Sequence, residues 1–256
     1  MTSTNTPTMT MFDHLKELRS RIVRSALAVC IGAAVVLTFY ENVLRFLTEP
    51  YRDLCLERPD FNCDGSLFAL GPLDGFAARL RVATYGGIVI ALPVIMWQIW
   101  RFIVPALERK ERRYAVPFIV STLLLFVAGA YLAYWTLDKA LEFLISWSGD
   151  DVNQAYQINQ YVNMITLMAL AFGIGFLSPV LIVFLQLVGV VTPRTLLKQW
   201  RVAVMTIFVV SAVITPSGDP VSLLALSIPM TVLYLVAIMI GWVVVRRRVK
   251  ATGDRT

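Results

Sequence analysis

Long apolar runs alternate with short charged stretches along most of this chain. The runs extend from about Ile22 to Tyr40, Val82 to Trp100, Tyr114 to Leu137, Val162 to Val191, Val202 to Ile214 and Val221 to Val245. Five of them have the roughly 20 residues a helix needs to cross about 30 Å of hydrocarbon. The run from Val202 to Ile214 does not, because at about 1.5 Å per residue it covers only roughly 20 Å. Either the bilayer thins there, or the turn that follows, TPSGDP, lies below the membrane surface.

The connecting stretches carry their own patterns. Phe12, Leu15, Leu18 and Ile22 share one helical face, and His14, Glu17 and Arg21 lie one turn apart on the other. This spacing predicts a helix that lies along the membrane surface and then turns into the first span. Met1 to Thr10 has no Lys, Arg or apolar core and reads as a disordered leader rather than a signal peptide. The stretch from Glu41 to Arg81 is long for a connection and is expected to be structured, with Asp74 opening a helix into the second span. Pro93 should kink that span, Gly173, Gly175 and Pro179 should thin and bend the fourth, and Pro229 interrupts the sixth. The domain division that follows is a leader over 1–10, a six-helix membrane domain over 11–245 and a basic tail over 246–256.

Composition agrees with the pattern: 57% of the residues are apolar and 16% charged, against roughly 25% charged in a soluble domain. The net charge of +6 does not point to nucleic acid, because the basic residues sit in short loops between apolar runs. Their distribution instead sets an orientation. The leader together with Arg24, which snorkels at the start of the first run, the second and fourth loops and the tail hold 17 Lys and Arg, and the other loops hold 6. The acidic residues divide the other way, 5 against 12. The positive-inside rule then predicts an all-α integral membrane protein of six spans with both termini in the cytoplasm, a short fifth helix and a structured external first loop.

The densest charge lies in WQIWRFIVPALERKERR, Trp97 to Arg113, where Glu108 and Glu111 stand among five basic residues. Candidate chemistry elsewhere is thin. The only histidine is His14 and no GxSxG is present, so neither a zinc hydrolase nor a serine nucleophile is expected inside the membrane, and no metal or cofactor site is predicted. The span interiors carry no ionised groups. Gln98, Asn163 and Gln186 are the polar exceptions, each more often a packing hydrogen bond than a ligand, which disfavours the alternative reading as a small-solute secondary transporter. Cys30 lies in the first span, whereas Cys55 and Cys63 fall in the acidic first loop, as a local disulfide or as two thiols. Glu17 reads most simply as an exposed i,i+4 partner of Arg21.

Four stretches in order, HLKELRSR from His14, ALPVIMWQIWRFIVPALERKERR through Arg113, FGIGFLSPVLIVFL in the fourth span and TPSGDPVS before the sixth, resemble the signatures of the TatC family. TatC proteins are polytopic signal-peptide receptors of the twin-arginine translocase. The resemblance implies a non-enzymatic receptor and core subunit in a bacterial plasma membrane. Its partners would be twin-arginine signal peptides of folded precursors, single-span TatA- and TatB-type subunits, further copies of itself and membrane lipid, and it would use the proton-motive force. It also implies that Glu17 and Glu111 grip the paired arginines, with Arg19, Phe102 and Arg112 around them. Gln98, Thr215 and Asp219 match positions of partner-subunit contact, and Pro50, Pro93 and Pro179 match structural prolines. Asp219 equally suits the N-cap of the sixth helix. Where the family often carries a glutamate in the fourth span, this chain has Leu177, so no role of that carboxylate carries over. Two carboxylates within a basic face should accept an aligned guanidinium pair and reject a merely basic peptide, since only guanidinium offers carboxylate two parallel hydrogen bonds.

Overall fold

A computed structural model describes residues 11–58, 65–103, 115–148 and 156–253. The chain is helical almost throughout. The elements in order are α1 (Met11–Thr38), α2 (Tyr40–Glu57), β1 (Leu67–Phe68), α3 (Asp74–Ile103), α4 (Ala115–Ser146), β2 (Tyr156–Gln157), α5 (Ile158–Gly175), α6 (Ser178–Val188), α7 (Pro193–Lys198), α8 (Trp200–Ile214) and α9 (Pro220–Gly253). Among the described residues, α1, α3, α4, the α5–α6 pair and α9 are long and apolar enough to cross a membrane, and α8 is a shorter apolar helix.

Small residues bring the helices together, as expected where lipid removes the hydrophobic drive for association. α1 packs along α3, where a Cβ on Gly32 would lie 2.7 Å from the carbonyl oxygen of Gly87. α4 packs on α5, where a Cβ on Gly173 would lie 2.5 Å from the Phe126 ring. Larger side chains at either contact would force the helices apart.

Three features differ from the sequence pattern. The amphipathic stretch before the first span does not lie apart from it: α1 is continuous from Met11 to Thr38, and Arg21 within it reaches α3. The fourth span is two helices. Leu177 caps α6 and Pro179 sits in its first turn, where its missing N–H leaves the carbonyl of Gly175 without the next helical donor. The chain passes the break through a tight bond from Leu177 N to Ile174 O, 2.9 Å. Third, the helix of the basic tail is continuous with the last span, α9 running to Gly253. Pro93 and Pro229 are accommodated within α3 and α9.

The first loop is structured, as its length predicts. α2 contains the buried Pro50 and packs Tyr51, fully buried, against Tyr156 and Tyr161 at 5.2 and 5.8 Å. The Tyr161 hydroxyl donates to Leu47 O at 3.0 Å. β1 pairs in parallel with β2, Leu67 opposite Tyr156. Asp74 joins the two loops, its Oδ2 accepting from the backbone N–H groups of Leu70 and Gly71 and from Gln157 Nε2 at 2.9 Å.

The short α8 has a geometric explanation. Gly175 abuts Leu226 and Met230, and Gln186 donates to Ala237 O at 3.1 Å, so α5–α6 and α9 run side by side in one direction. Counting about 1.5 Å of rise per residue, Ile158 lies roughly 25 Å ahead of Gly175, whereas Pro220 lies only about 9 to 15 Å ahead of the residues Gly175 touches. The α8–α9 turn is therefore recessed by roughly 10 Å or more from the level at which α5 begins. A turn set back from the start of α5 is what the sunken-turn reading of the short run expects.

Candidate functional site

The candidate residues fall at two ends of the bundle. The first is where α1 begins and α3 finishes. Glu17 and Arg21, four residues apart on α1, form an ion pair through Arg21 Nη2 and Glu17 Oε1. This is the i,i+4 pairing the spacing suggests, but it is not an exposed one. Arg21 is only 8% exposed, and its Nη1 crosses to α3, reaching the carbonyl oxygen of Gln98 at 3.5 Å. One guanidinium thus ties the first helix to the second long one across 77 positions.

The polar capacity at this end is incompletely used. Arg21 Nε, Gln98 Oε1 and Trp100 Nε1 are buried and lack hydrogen-bond partners among the described residues. Trp100 is packed by Phe118 and Phe184, with ring centroids 5.0 and 5.8 Å away. Arg19 and Arg101 are exposed and Phe102 is half-buried in the last turn of α3. Glu111 and Arg112 lie outside the described residues. Sequence reasoning named Gln98 for its side chain, whereas its backbone carbonyl makes the contact, and no residue type signals that.

At the α8–α9 turn the geometry is of another kind. Asp219 is 2% exposed, and its Oδ1 accepts from the backbone N–H of Ser222 at 2.6 Å. Of its two readings, the structure realises the N-cap. Its Oδ2 is buried and has no hydrogen-bond partner among the described residues. Thr215, 5% exposed, likewise turns inward and donates to Ser211 O at 2.7 Å. Ser211 and Ser222 are fully buried beside them.

The remaining polar positions serve packing. Gln186 Nε2 donates to Ala237 O in the α6–α9 contact, and Gly241 lies so close that a Cβ there would meet Gln186 Oε1 at 1.8 Å. Pro179 opens α6, so its role is structural. Cys55 is disulfide-bonded and Cys30 is free; Cys63 lies outside the described residues. Among the described residues no three His, Cys, Asp or Glu gather as a metal site would require.

Known proteins similar to this chain share most of its length rather than one motif. Residues 13–229 match the family described as Sec-independent protein translocase protein (TatC). The Sec-independent protein translocase protein TatC of Frankia casuarinae is 37% identical over 252 residues, covering 96% of this chain and 69% of that protein. The protein of the same name from Koribacter versatilis is 32% identical, covering 92% of this chain and 86% of its own. A crystal structure of the twin-arginine translocase receptor TatC superposes with a TM-score of 0.75 at 31% identity, over 90% of this chain and 98% of that one.

Proposed function

This chain belongs to the TatC family, and from that premise we propose that Glu17 and Glu111 together hold the paired arginines of an incoming signal peptide. The protein is a membrane-embedded, non-catalytic receptor and core subunit of the twin-arginine translocase, and it works with signal peptides and other components of that machinery.

One observation supports the site above the others. The bond from Arg21 to the Gln98 carbonyl sets the Glu17 turn of α1 against the last turns of α3, the helix that leads within a few residues into the loop carrying Glu111. The sequence between α3 and α4 carries Glu111, so this contact supports reading the two carboxylates as one site. Glu17 keeps its side chain 26% exposed, open enough for a ligand and enclosed enough to strengthen a charged hydrogen bond. Arg19 and Phe102 border the same end, and Arg112 belongs to the same loop as Glu111. Each charge-assisted bond contributes about 1.5 to 3 kcal/mol, so the loss of bidentate geometry in an Arg-to-Lys signal peptide is enough for discrimination.

The finer topology follows from the charge distribution. α8 completes a six-span path with both termini in the cytoplasm of a bacterial cell and the α2, β1 and β2 region outside it. Cys55 pairs with Cys63 on that oxidising side. Single-span TatA- and TatB-type subunits lie against the bundle near Gln98 and the recessed α8–α9 turn. Ser211 is the one fully buried residue of α8, which leaves most of that helix's surface for lipid or another helix. Transport of folded cargo draws on the proton-motive force.

The test replaces Glu17 and Glu111 with Ala and follows export of a folded precursor in cells. Export is expected to stop while the protein still accumulates in the membrane; undiminished export overturns the site.

A further inference from the structure

The carboxylate proposed to receive the ligand's arginine already holds one. Arg21 Nη2 sits on Glu17 Oε1, its Nη1 on the Gln98 carbonyl, and its Nε is buried without a partner among the described residues. Arg21 is the more enclosed of the pair, with 10% of its side chain exposed against 26% for Glu17. A guanidinium arriving from solvent therefore meets a carboxylate already paired with the more buried Arg21.

We propose that Arg21 is a resident competitor at the receptor carboxylate, so that a signal peptide binds by exchanging guanidinium for guanidinium rather than by adding a cation to an empty anion. This inference rests on the reading of Glu17 as a receptor residue.

Exchange changes what the site measures. When one positive charge replaces another, the Coulomb gain of the newcomer is offset by the loss of the occupant, and the difference left is hydrogen-bond geometry. An ammonium, a point charge without the planar fork, loses that comparison; a guanidinium breaks even at Glu17 and gains from its second arginine elsewhere. Arg21 thus makes a charge-attracting site into a shape-selecting one. Its hold on the Gln98 carbonyl gives the displaced guanidinium an anchor, so α1 and α3 need not separate. A purely structural Arg21, clamping the two helices, predicts the opposite effect on binding, because loosening the clamp would weaken the site.

The full-length protein in detergent micelles, with R21Q, R21K and E17Q variants, separates these outcomes. Fluorescence anisotropy would follow two labelled synthetic signal peptides, one with Arg-Arg and one with Lys-Lys, and thermal unfolding would follow the fold. R21Q is expected to bind both peptides several-fold more tightly than wild type, with the larger gain for Lys-Lys, so that discrimination narrows. If R21Q does not fold, R21K carries the test: its ammonium is more easily displaced, and Arg-Arg affinity should rise. A folded R21Q or R21K that binds Arg-Arg no better than wild type overturns the inference. If E17Q loses binding while folded R21Q gains none, the competitor role alone fails; if E17Q binds as wild type does, the receptor reading of Glu17 fails and takes the competitor role with it.

Discussion

Glu17 and Asp219 are both carboxylates near helix termini, and the structure treats them in opposite ways. Glu17 is partly open and answered by a side chain, Arg21, that itself reaches another helix. Asp219 is closed in and answered by backbone, its Oδ1 fixed to Ser222 N. A side-chain partner can be displaced by a similar group from outside, whereas a backbone N–H in the first turn of the same helix cannot. The first arrangement suits recognition and the second suits holding a turn in place.

Substitutions can break this contrast. The largest effect is expected at the first carboxylate. Glu17→Gln should lower the affinity of the folded fraction for an Arg-Arg signal peptide by about tenfold or more, given about 1.5 to 3 kcal/mol for a charged hydrogen bond, and should lower the melting temperature because the buried Arg21 loses its counter-charge. Asp219→Ala should act on stability alone: a loss of about 1 to 2 kcal/mol of stability from the missing cap, read by unfolding in micelles, with peptide binding by the folded fraction unchanged. Asp219→Asn, which can still cap, should recover most of that loss. Peptide binding that falls in step with stability in Asp219→Ala would show that the two ends are not independent.

A smaller effect sharpens the contrast. Arg58 pairs with Glu142 between α2 and α4, and half of its side chain remains exposed, so Arg58→Gln should cost no more than about 1 kcal/mol of stability and leave peptide binding unaffected. The pair shows what the Glu17–Arg21 contact would be worth if it were only a surface bridge. Competition by poly-lysine should likewise be weak against an Arg-Arg peptide, because a basic face repels an unaligned cation; strong competition would contradict selection by geometry.

Much of the fold was legible in the apolar runs, since a helix in lipid must satisfy its own backbone and needs a set length to do so. The structured first loop followed from its length, and Gly173, Gly175 and Pro179 marked the close contacts and the break at Phe176 and Leu177. The break itself was read only as a bend, because hydropathy is uninterrupted across it. The continuity of α1 was hidden for another reason: the spacing of Phe12, Leu15 and Leu18 records an apolar face but not whether the helix bends after it, and the contact from Arg21 to α3 is to a backbone carbonyl that no residue type signals. Of the proposed site, Glu17 and Glu111 were named through motifs alone. The inward turn of Asp219 was not, because the same N-terminal position serves a cap and a surface contact equally well until burial is known.

Photocrosslinking from residues 16 and 110, neighbours that leave both carboxylates in place, to Arg-Arg and Lys-Lys forms of one precursor tests the paired-carboxylate site most directly. The Arg-Arg precursor should crosslink from both positions and the Lys-Lys form from neither above background. Equal crosslinking of the two forms, or an Arg-Arg precursor that reaches only one of the two positions, would contradict it.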